Sequence, residues 1–310
     1  MVGFTNWGHS ADINHEYAAI VTRFNPDGSR DRSFGGGSIE KPMISAARDV
    51  AIEPNGHIVV AAIEAPYFRA TGVVFALEPN GRPDLSFGKH GQVEIFAPRS
   101  RLPSADLTDI LVQPDGKLLV TGMIEGRILL ARLLPNGQPD PEFGAGDGRV
   151  AVQFSPRGCL CSAAHAVRLQ SDGRIVVLAH EDRHGRATIV TRFLPDGRLD
   201  RSFGPGGKGF VRHPNSFALG LAVERDDKLV IAGERGRVED PDFMVLRYLP
   251  DGRPDRSFGS NGALFPRFGE KSFATSALAQ PNGRVVVAGT SFRRGPSGAE
   301  GALVLQRFAP

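Results

Sequence analysis

The chain has 310 residues, with 37 Lys and Arg against 34 Asp and Glu and a formal net charge of +3. That balance excludes a strongly basic nucleic-acid binder and an acidic solvating chain. Its 38 Gly and 23 Pro make it rich in turns, but 41% hydrophobic residues is too many for a disordered polymer, and two Cys exclude a disulfide scaffold. No apolar run reaches the ~18 residues of a membrane span, so no membrane insertion is expected. Met1 to Trp7 has neither the basic segment nor the apolar stretch of a secretory leader.

The first predicted element in chain order is a strand from Tyr17 to Phe24. It runs into a polar string, Arg23 to Gly35, that contains Asn-Pro-Asp-Gly and ends Asp-Arg-Ser-Phe-Gly. The string returns with final glycines at Gly88, Gly144, Gly204 and Gly259, steps of 53, 56, 60 and 55 residues, and a further copy opens at Arg307. A second string alternates with the first, starting at Asp49, Asp109, Ala166, Gly220 and Ser276. Each copy is two short apolar, β-branched runs split by a turn. The turns fall at Asn55-Gly56, Asp115-Gly116, Asp172-Gly173, Asp226-Asp227 and Asn282-Gly283. Asp-Gly and Asn-Gly supply the positive-φ residues of a tight hairpin. Asp227 stands where the others have glycine, which predicts the most strained of the five turns.

Each repeat therefore holds about four strands. One set runs Leu107 to Gln113, Lys117 to Gly122, Arg127 to Leu134 and Arg149 to Phe154. No stretch shows a helical period. Four short strands repeated every ~40–60 residues predict an all-β chain, a β-propeller of four-stranded blades. The expectation is a single domain over 1–310, with a partial blade at 1–35 and full repeats at 36–88, 89–144, 145–204, 205–259 and 260–310. That makes six blades with one incomplete; five blades plus an extra strand is the alternative. Phe34, Phe87, Phe143, Phe203 and Phe258 are expected as wedges between blades. Asp31, Asp84, Asp140, Asp200 and Asp255, three residues earlier, are expected to accept backbone N–H groups in turns. Arg23, Arg132, Arg192, Arg247 and Arg307 recur at a strand end, where Ala76 is the exception, and are expected to bridge to the turn aspartates.

The order Pro-Asp-Gly, two residues, Asp-x-Ser-Phe-Gly, then Gln-Pro-Asp-Gly-Lys and an apolar strand ending Ala-Gly resembles the delta-60 repeat, a bacterial repeat found mostly in large secreted or surface proteins. The resemblance covers about Gly3 to Pro310. It weakens at Glu142, which replaces the motif Ser, and at Arg225-Asp226-Asp227 in the fourth hairpin. It implies a β-propeller and a secreted or cell-surface location. It implies no molecular function and no catalytic residue.

A residue present in every blade builds the fold, because a single site does not need the same residue five times. Function is expected at the positions that differ. Among these are Asp49, Asp109, Ala166, Gly220 and Ser276 at the hairpin entrances, and Arg48, Thr108, His165, Leu219 and Thr275 one residue earlier. If the entrances converge, Asp49, Asp109 and His165 form a polar-ligand or divalent-cation site. A second metal candidate is Cys159, Cys161 and His165, with His180 and His184 nearby in sequence; both thiols would face one side of a strand. Trp7, His9, Asp12, His15 and Glu16 read as an ordinary long connection. No nucleophile elbow, phosphate-binding Gly-rich loop or His-Glu-x-x-His helix is present. The leading expectation is a monomeric, non-catalytic binding or scaffold module for a protein or glycan ligand, with no cofactor beyond the candidate cation. The alternatives are a metal-dependent hydrolase or lyase with a site in the central channel, argued from fold analogy, and a fragment of a larger secreted repeat protein.

Overall fold

The computed structural model describes residues 2–6, 17–42, 44–64, 71–95, 105–154, 162–181, 186–237, 239–295 and 298–309. None of these lies in an α-helix. Their contacts divide into two compact units, Met1–Gln153 and Phe154–Pro310, each built of three antiparallel sheets.

In the first unit, β1 (Val2–Asn6), β2 (Tyr17–Thr22) and β3 (Ser38–Pro42) form the first blade. β4 (Ile44–Ile52), β5 (Ile58–Glu64), β6 (Thr71–Leu77) and β7 (Gln92–Ile95) form the second. β8 (Ala105–Val112), β9 (Leu118–Ile124), β10 (Arg127–Leu133) and β11 (Arg149–Val152) form the third, close to the four strands expected there. In the second unit, β12 (Ser162–Leu169), β13 (Ile175–Glu181), β14 (Ala187–Phe193) and β15 (Phe210–Pro214) form the fourth blade. β16 (Ser216–Val223), β17 (Leu229–Arg237), β18 (Asp240–Tyr248) and β19 (Ala263–Leu264) form the fifth, and β20 (Lys271–Ala279), β21 (Val285–Gly295) and β22 (Gly298–Phe308) the sixth. Six sheets in this order are the blades of an all-β propeller. Among the described residues the first and sixth sheets have three strands and the other four have four, consistent with the six blades expected.

The sheets begin one strand later than the sequence repeats. After each Phe-Gly the chain turns back at once, as in the bridge of Gly88 to Gln92, so the next strand pairs with the blade just completed.

The motif residues explain how blades stack. Phe34, Phe87, Phe143 and Phe203 are at most 1% exposed and Phe258 is 5% exposed. Phe87 lies in one core with second- and third-blade residues such as Val74 and Leu129. Phe203 does the same between the fourth and fifth blades, and Phe258 between the fifth and sixth. Each such burial contributes about 1.5–3 kcal/mol. The seat for the ring is a glycine in the next blade: a Cβ on Gly137 would stand 2.9 Å from Phe87, and one on Gly252 2.9 Å from Phe203. The Asn-Gly or Asp-Gly of the motif therefore makes its turn and also leaves room for its neighbour's phenylalanine.

The aspartates accept the expected bonds. Asp200 Oδ1 takes the N–H and hydroxyl of Ser202 at 2.9 and 2.6 Å, and Asp255 does the same with Ser257 at 3.1 and 2.6 Å. The strand-end arginines close onto the other oxygen: Arg23 on Asp31, Arg132 on Asp140, Arg192 on Asp200 and Arg247 on Asp255, all at 2.7–2.8 Å. Each guanidinium also lies over its motif phenylalanine at 4.5–4.8 Å. Where Ala76 removes the arginine, Asp84 keeps the contact made by the residue after the hairpin turn, His57 Nδ1 at 2.8 Å, as Lys117, Arg174 and Lys228 make to Asp140, Asp200 and Asp255 beside their arginines. Asp227 adopts φ +62°, where its counterpart Gly56 has φ +85°. Its carboxylate accepts the Ser171 N–H at 2.7 Å and the Ser171 hydroxyl at 2.5 Å, so the strained residue links the fifth blade to the fourth.

Candidate functional site

The first strand of blades two to six carries a one-residue bulge at the same place. Registers shift between Ala47 and Asp49, Leu107 and Asp109, Ala164 and Ala166, Ala218 and Gly220, and Ala274 and Ser276. The extra residues are Arg48, Thr108, His165, Leu219 and Thr275, the set that varies between repeats. A bulge interrupts the ladder and re-aims one side chain. Opposite it, Gly122, Gly233 and Gly289 let the strands close in, since a Cβ on any of them would strike the backbone of the first strand. The fold thus holds a fixed backbone device at which the side chain is free to differ.

In each unit the bulge residue meets the residue two before the bulge of the next blade. In the first unit Arg48 Nη2 lies 3.5 Å from Asp106 Oδ2. Burial raises the Asp106 carboxyl above its usual range, and Arg48 acts against that. In the second unit the equivalent pair is His165 and Phe217, with rings 5.2 Å apart and edge to face. His165 Nε2 also lies 2.6 Å from His180 Nδ1, and the two imidazoles stack with centroids 4.8 Å apart. His180 packs on Phe217 at 4.9 Å. Arg186 covers the Phe217 ring at 5.1 Å and is ion-paired with Glu234. Burial, helped by His180, lowers the His165 pKa to about 3. His165 is therefore neutral near pH 7, and the short contact needs one ring to donate and the other to accept.

The seam of the fourth and fifth blades therefore gathers π faces, imidazole nitrogens and an arginine–carboxylate pair. All five side chains are half-buried. Such a surface can hold a neutral, hydroxyl-bearing group by stacking and by paired donors and acceptors.

The residues singled out in the sequence are placed as follows. Asp49 Oδ2 accepts the Ile110 N–H at 3.0 Å, joining the second blade to the third. Asp109 is 8% exposed. Both belong to the first unit and His165 to the second. Cys159, Cys161, His184 and the set Trp7, His9, Asp12, His15 and Glu16 lie outside the described residues. Among the described residues no group of three His, Cys, Asp or Glu side chains is gathered in a way that could hold a metal ion, and no helix is long and apolar enough to cross a membrane. Sequence reasoning missed Phe217, Arg186 and Glu234. The signal for Phe217 was available: it stands two residues before the varying position, as Asp106 does.

Comparison with known proteins agrees with this architecture. A family model described as a beta-propeller domain of unknown function, DUF5122, matches residues 8–34, 113–143, 170–203 and 224–258. The last three matches run from a hairpin turn to the motif Phe143, Phe203 or Phe258. No curated protein matches. Among solved structures, a glucose dehydrogenase is 11% identical with TM-score 0.51, covering 99% of this chain and 95% of its own. The propeller domain of the trilobed protease from Pyrococcus furiosus is 12% identical with TM-score 0.46, covering 96% of this chain and 76% of that one. A gluconolactonase from Xanthomonas campestris is 12% identical with TM-score 0.43, covering 94% and 82%. At such identities the likeness is one of fold alone. The family model, over its four stretches, is similar to the repeat itself.

Proposed function

We propose that the chain is a non-catalytic binding module whose ligand-reading positions are the bulge residues and the side chains they meet across each seam. The carrying observation is the group of His165, His180, Phe217, Arg186 and Glu234, which stands where the repeat leaves residue choice free. A glycan is the favoured ligand. The hydrophobic face of a sugar stacks on an aromatic ring, and its hydroxyls suit the paired donors and acceptors of Arg186 and Glu234. The likeness of the motif to the delta-60 repeat of secreted and surface proteins suits such a ligand.

The test is a glycan array followed by calorimetry with the wild type, Phe217→Ala and Arg186→Ala. A glycan bound at least tenfold more weakly by both variants, with melting temperature little changed, is the expected result. Metal-dependent turnover of a polysaccharide by the wild type would overturn the reading, as would glycan binding indifferent to both substitutions.

A further inference from the structure

The second blade carries the walls of the repeat's arginine seat without the arginine. In the fourth blade those walls are occupied. Arg192 Nε donates to Asp200 Oδ2 at 2.8 Å, and Nη1 donates to Gln170 Oε1 at 3.0 Å and to the Pro250 carbonyl of the next blade at 2.5 Å. Nη2 donates to Ser202 Oγ at 3.2 Å, and the guanidinium plane covers Phe203 at 4.8 Å. In the first blade Arg23 meets Asp31, Ser33, Phe34 and the Pro79 carbonyl in the same way. Counted along the repeat, the second blade places Glu53, Asp84, Ser86 and Phe87 at these positions, with Pro135 on the third blade. Ala76 stands in place of the arginine.

The seam around this seat keeps the geometry of the others. The Gly88 N–H donates to the Asn136 carbonyl at 2.8 Å, as the Gly204 N–H does to Asp251 at 2.8 Å. A Cβ on Gly137 would stand 2.9 Å from Phe87, as one on Gly252 would from Phe203. His57 does not take the arginine's place, since it holds the position of Lys117, Arg174 and Lys228, which contact the motif aspartate beside an arginine. Asp140 Oδ2 accepts from Lys117 at 2.9 Å and from Arg132 at 2.7 Å, so Asp84 Oδ2 can take a second donor next to His57. Glu53 is 9% exposed and its Oε1 has no hydrogen-bond partner among the described residues. Gln113 and Glu224 also leave an oxygen open beside their arginines, so it is Ala76 that sets the second blade apart. Among the described residues a guanidinium covers Phe34, Phe143, Phe203 and Phe258, and no cation covers Phe87.

We propose that this seat binds the guanidinium group of a ligand. Asp84 and Ser86 also line a cavity of about 630 Å³, with His57, Glu78, Arg82 and Leu85, and the ligand enters from there. Its planar fork of N–H groups takes the positions of the repeat's own guanidinium, on the Asp84 and Glu53 carboxyls and the Pro135 carbonyl, with its face on Phe87. Glu53 puts a carboxyl where Gln113, Gln170 and Gln280 have amides, which adds charge opposite to the ligand's. An ammonium is a compact, strongly hydrated charge and does not span these walls at once, so the seat separates guanidinium from ammonium. The buried Ala76 closes the inner end, so the ligand's stem leaves past the exposed Ser86. The class is therefore an alkylguanidinium, either a small guanidino compound or the arginine side chain of a peptide. It rests on residues separate from the proposed glycan site, so either can fail alone.

The experiment is calorimetric titration and thermal melting of the full chain with ethylguanidinium chloride, against ethylammonium chloride at equal ionic strength. Saturable binding in the ~0.1–10 mM range, as so small a ligand allows, is the expected result, with a higher melting temperature in ethylguanidinium than in ethylammonium. Ala76→Arg fills the seat from within, so it abolishes binding and melts above the wild type. Glu53→Gln, which restores the amide of other blades, weakens binding at least threefold and carries the comparison alone if Ala76→Arg does not fold. A blocked Gly-Arg-Gly peptide that binds more tightly than ethylguanidinium assigns the seat to an arginine of a protein partner; equal or weaker binding assigns it to a small guanidino compound. A wild type that does not distinguish the two cations overturns the proposal. So does binding that Ala76→Arg leaves intact, or that Glu53→Gln fails to weaken.

Discussion

Replacing Arg192 by alanine tests the idea that the motif arginine is the clasp of each blade. Its Nε pairs with Asp200 at 2.8 Å, with both side chains 6% exposed. Its Nη1 donates to Gln170 Oε1 at 3.0 Å and to the Pro250 carbonyl of the next blade at 2.5 Å, its Nη2 to Ser202 at 3.2 Å, and the guanidinium covers Phe203 at 4.8 Å. Removing one partner of a buried pair costs about 3–5 kcal/mol. The loss falls in the lower part of that range, because Arg174 Nε remains 3.2 Å from Asp200. About 3 kcal/mol corresponds to roughly 6–12 °C for a domain of ~150–250 residues. Urea and thermal unfolding at pH 7 measure it, with Arg198→Ala as control. Arg198 pairs with Asp196 in the open, the two being 74% and 43% exposed, and its removal costs less than about 0.5 kcal/mol. The double variant Arg192→Ala/Asp200→Asn loses about 1–3 kcal/mol less than the two single losses combined. An Arg192→Ala protein within 1 kcal/mol of wild type, or indistinguishable from Arg198→Ala, would refute the reasoning.

Two further outcomes follow from the same geometry. Gly252→Ala puts a methyl 2.9 Å from Phe203 and 3.0 Å from the Gly204 nitrogen at φ +85°. It lowers stability by more than about 2 kcal/mol, while Gly28→Ala, with φ +84° and nothing within 4 Å, costs only the ~1 kcal/mol of its backbone conformation; chemical denaturation separates the two. His165, with its pKa held down to about 3 against 6.5 when free, takes up a proton on unfolding before it does so when folded. Its contribution is whole above pH 6.5 and is lost as pH falls from there toward 3, at up to about 1.4 kcal/mol per pH unit. Melting temperature against pH should therefore flatten over that window in His165→Phe; an unchanged profile would show that the imidazole is not buried.

The recurrent part of the site was legible and the particular part was not. Arg192, Asp200 and Phe203 could be paired on paper because four copies show the same spacing, and spacing within one turn fixes contact. The varying set at Arg48, Thr108, His165, Leu219 and Thr275 was also visible. That each is a bulge residue was not, because a bulge is defined only by its partner strand. Phe217 was passed over since it reads as one more apolar residue at a strand start. The contact of the residue after each hairpin turn with the motif aspartate, His57 with Asp84 or Lys117 with Asp140, was also not legible, since the two stand in different strings of the repeat.

By itself the sequence determined the strand order, the turns and the layer of residues that lock blade to blade, since these depend on alternation and on contacts within about ten residues. The tertiary structure decided where blades begin, because Gly88 and its counterparts send the chain back to the sheet it has just left. It also decided which side chains meet across a seam, as His165 meets Phe217 some fifty residues on. Those outcomes rest on packing between distant segments, and no local pattern carries them.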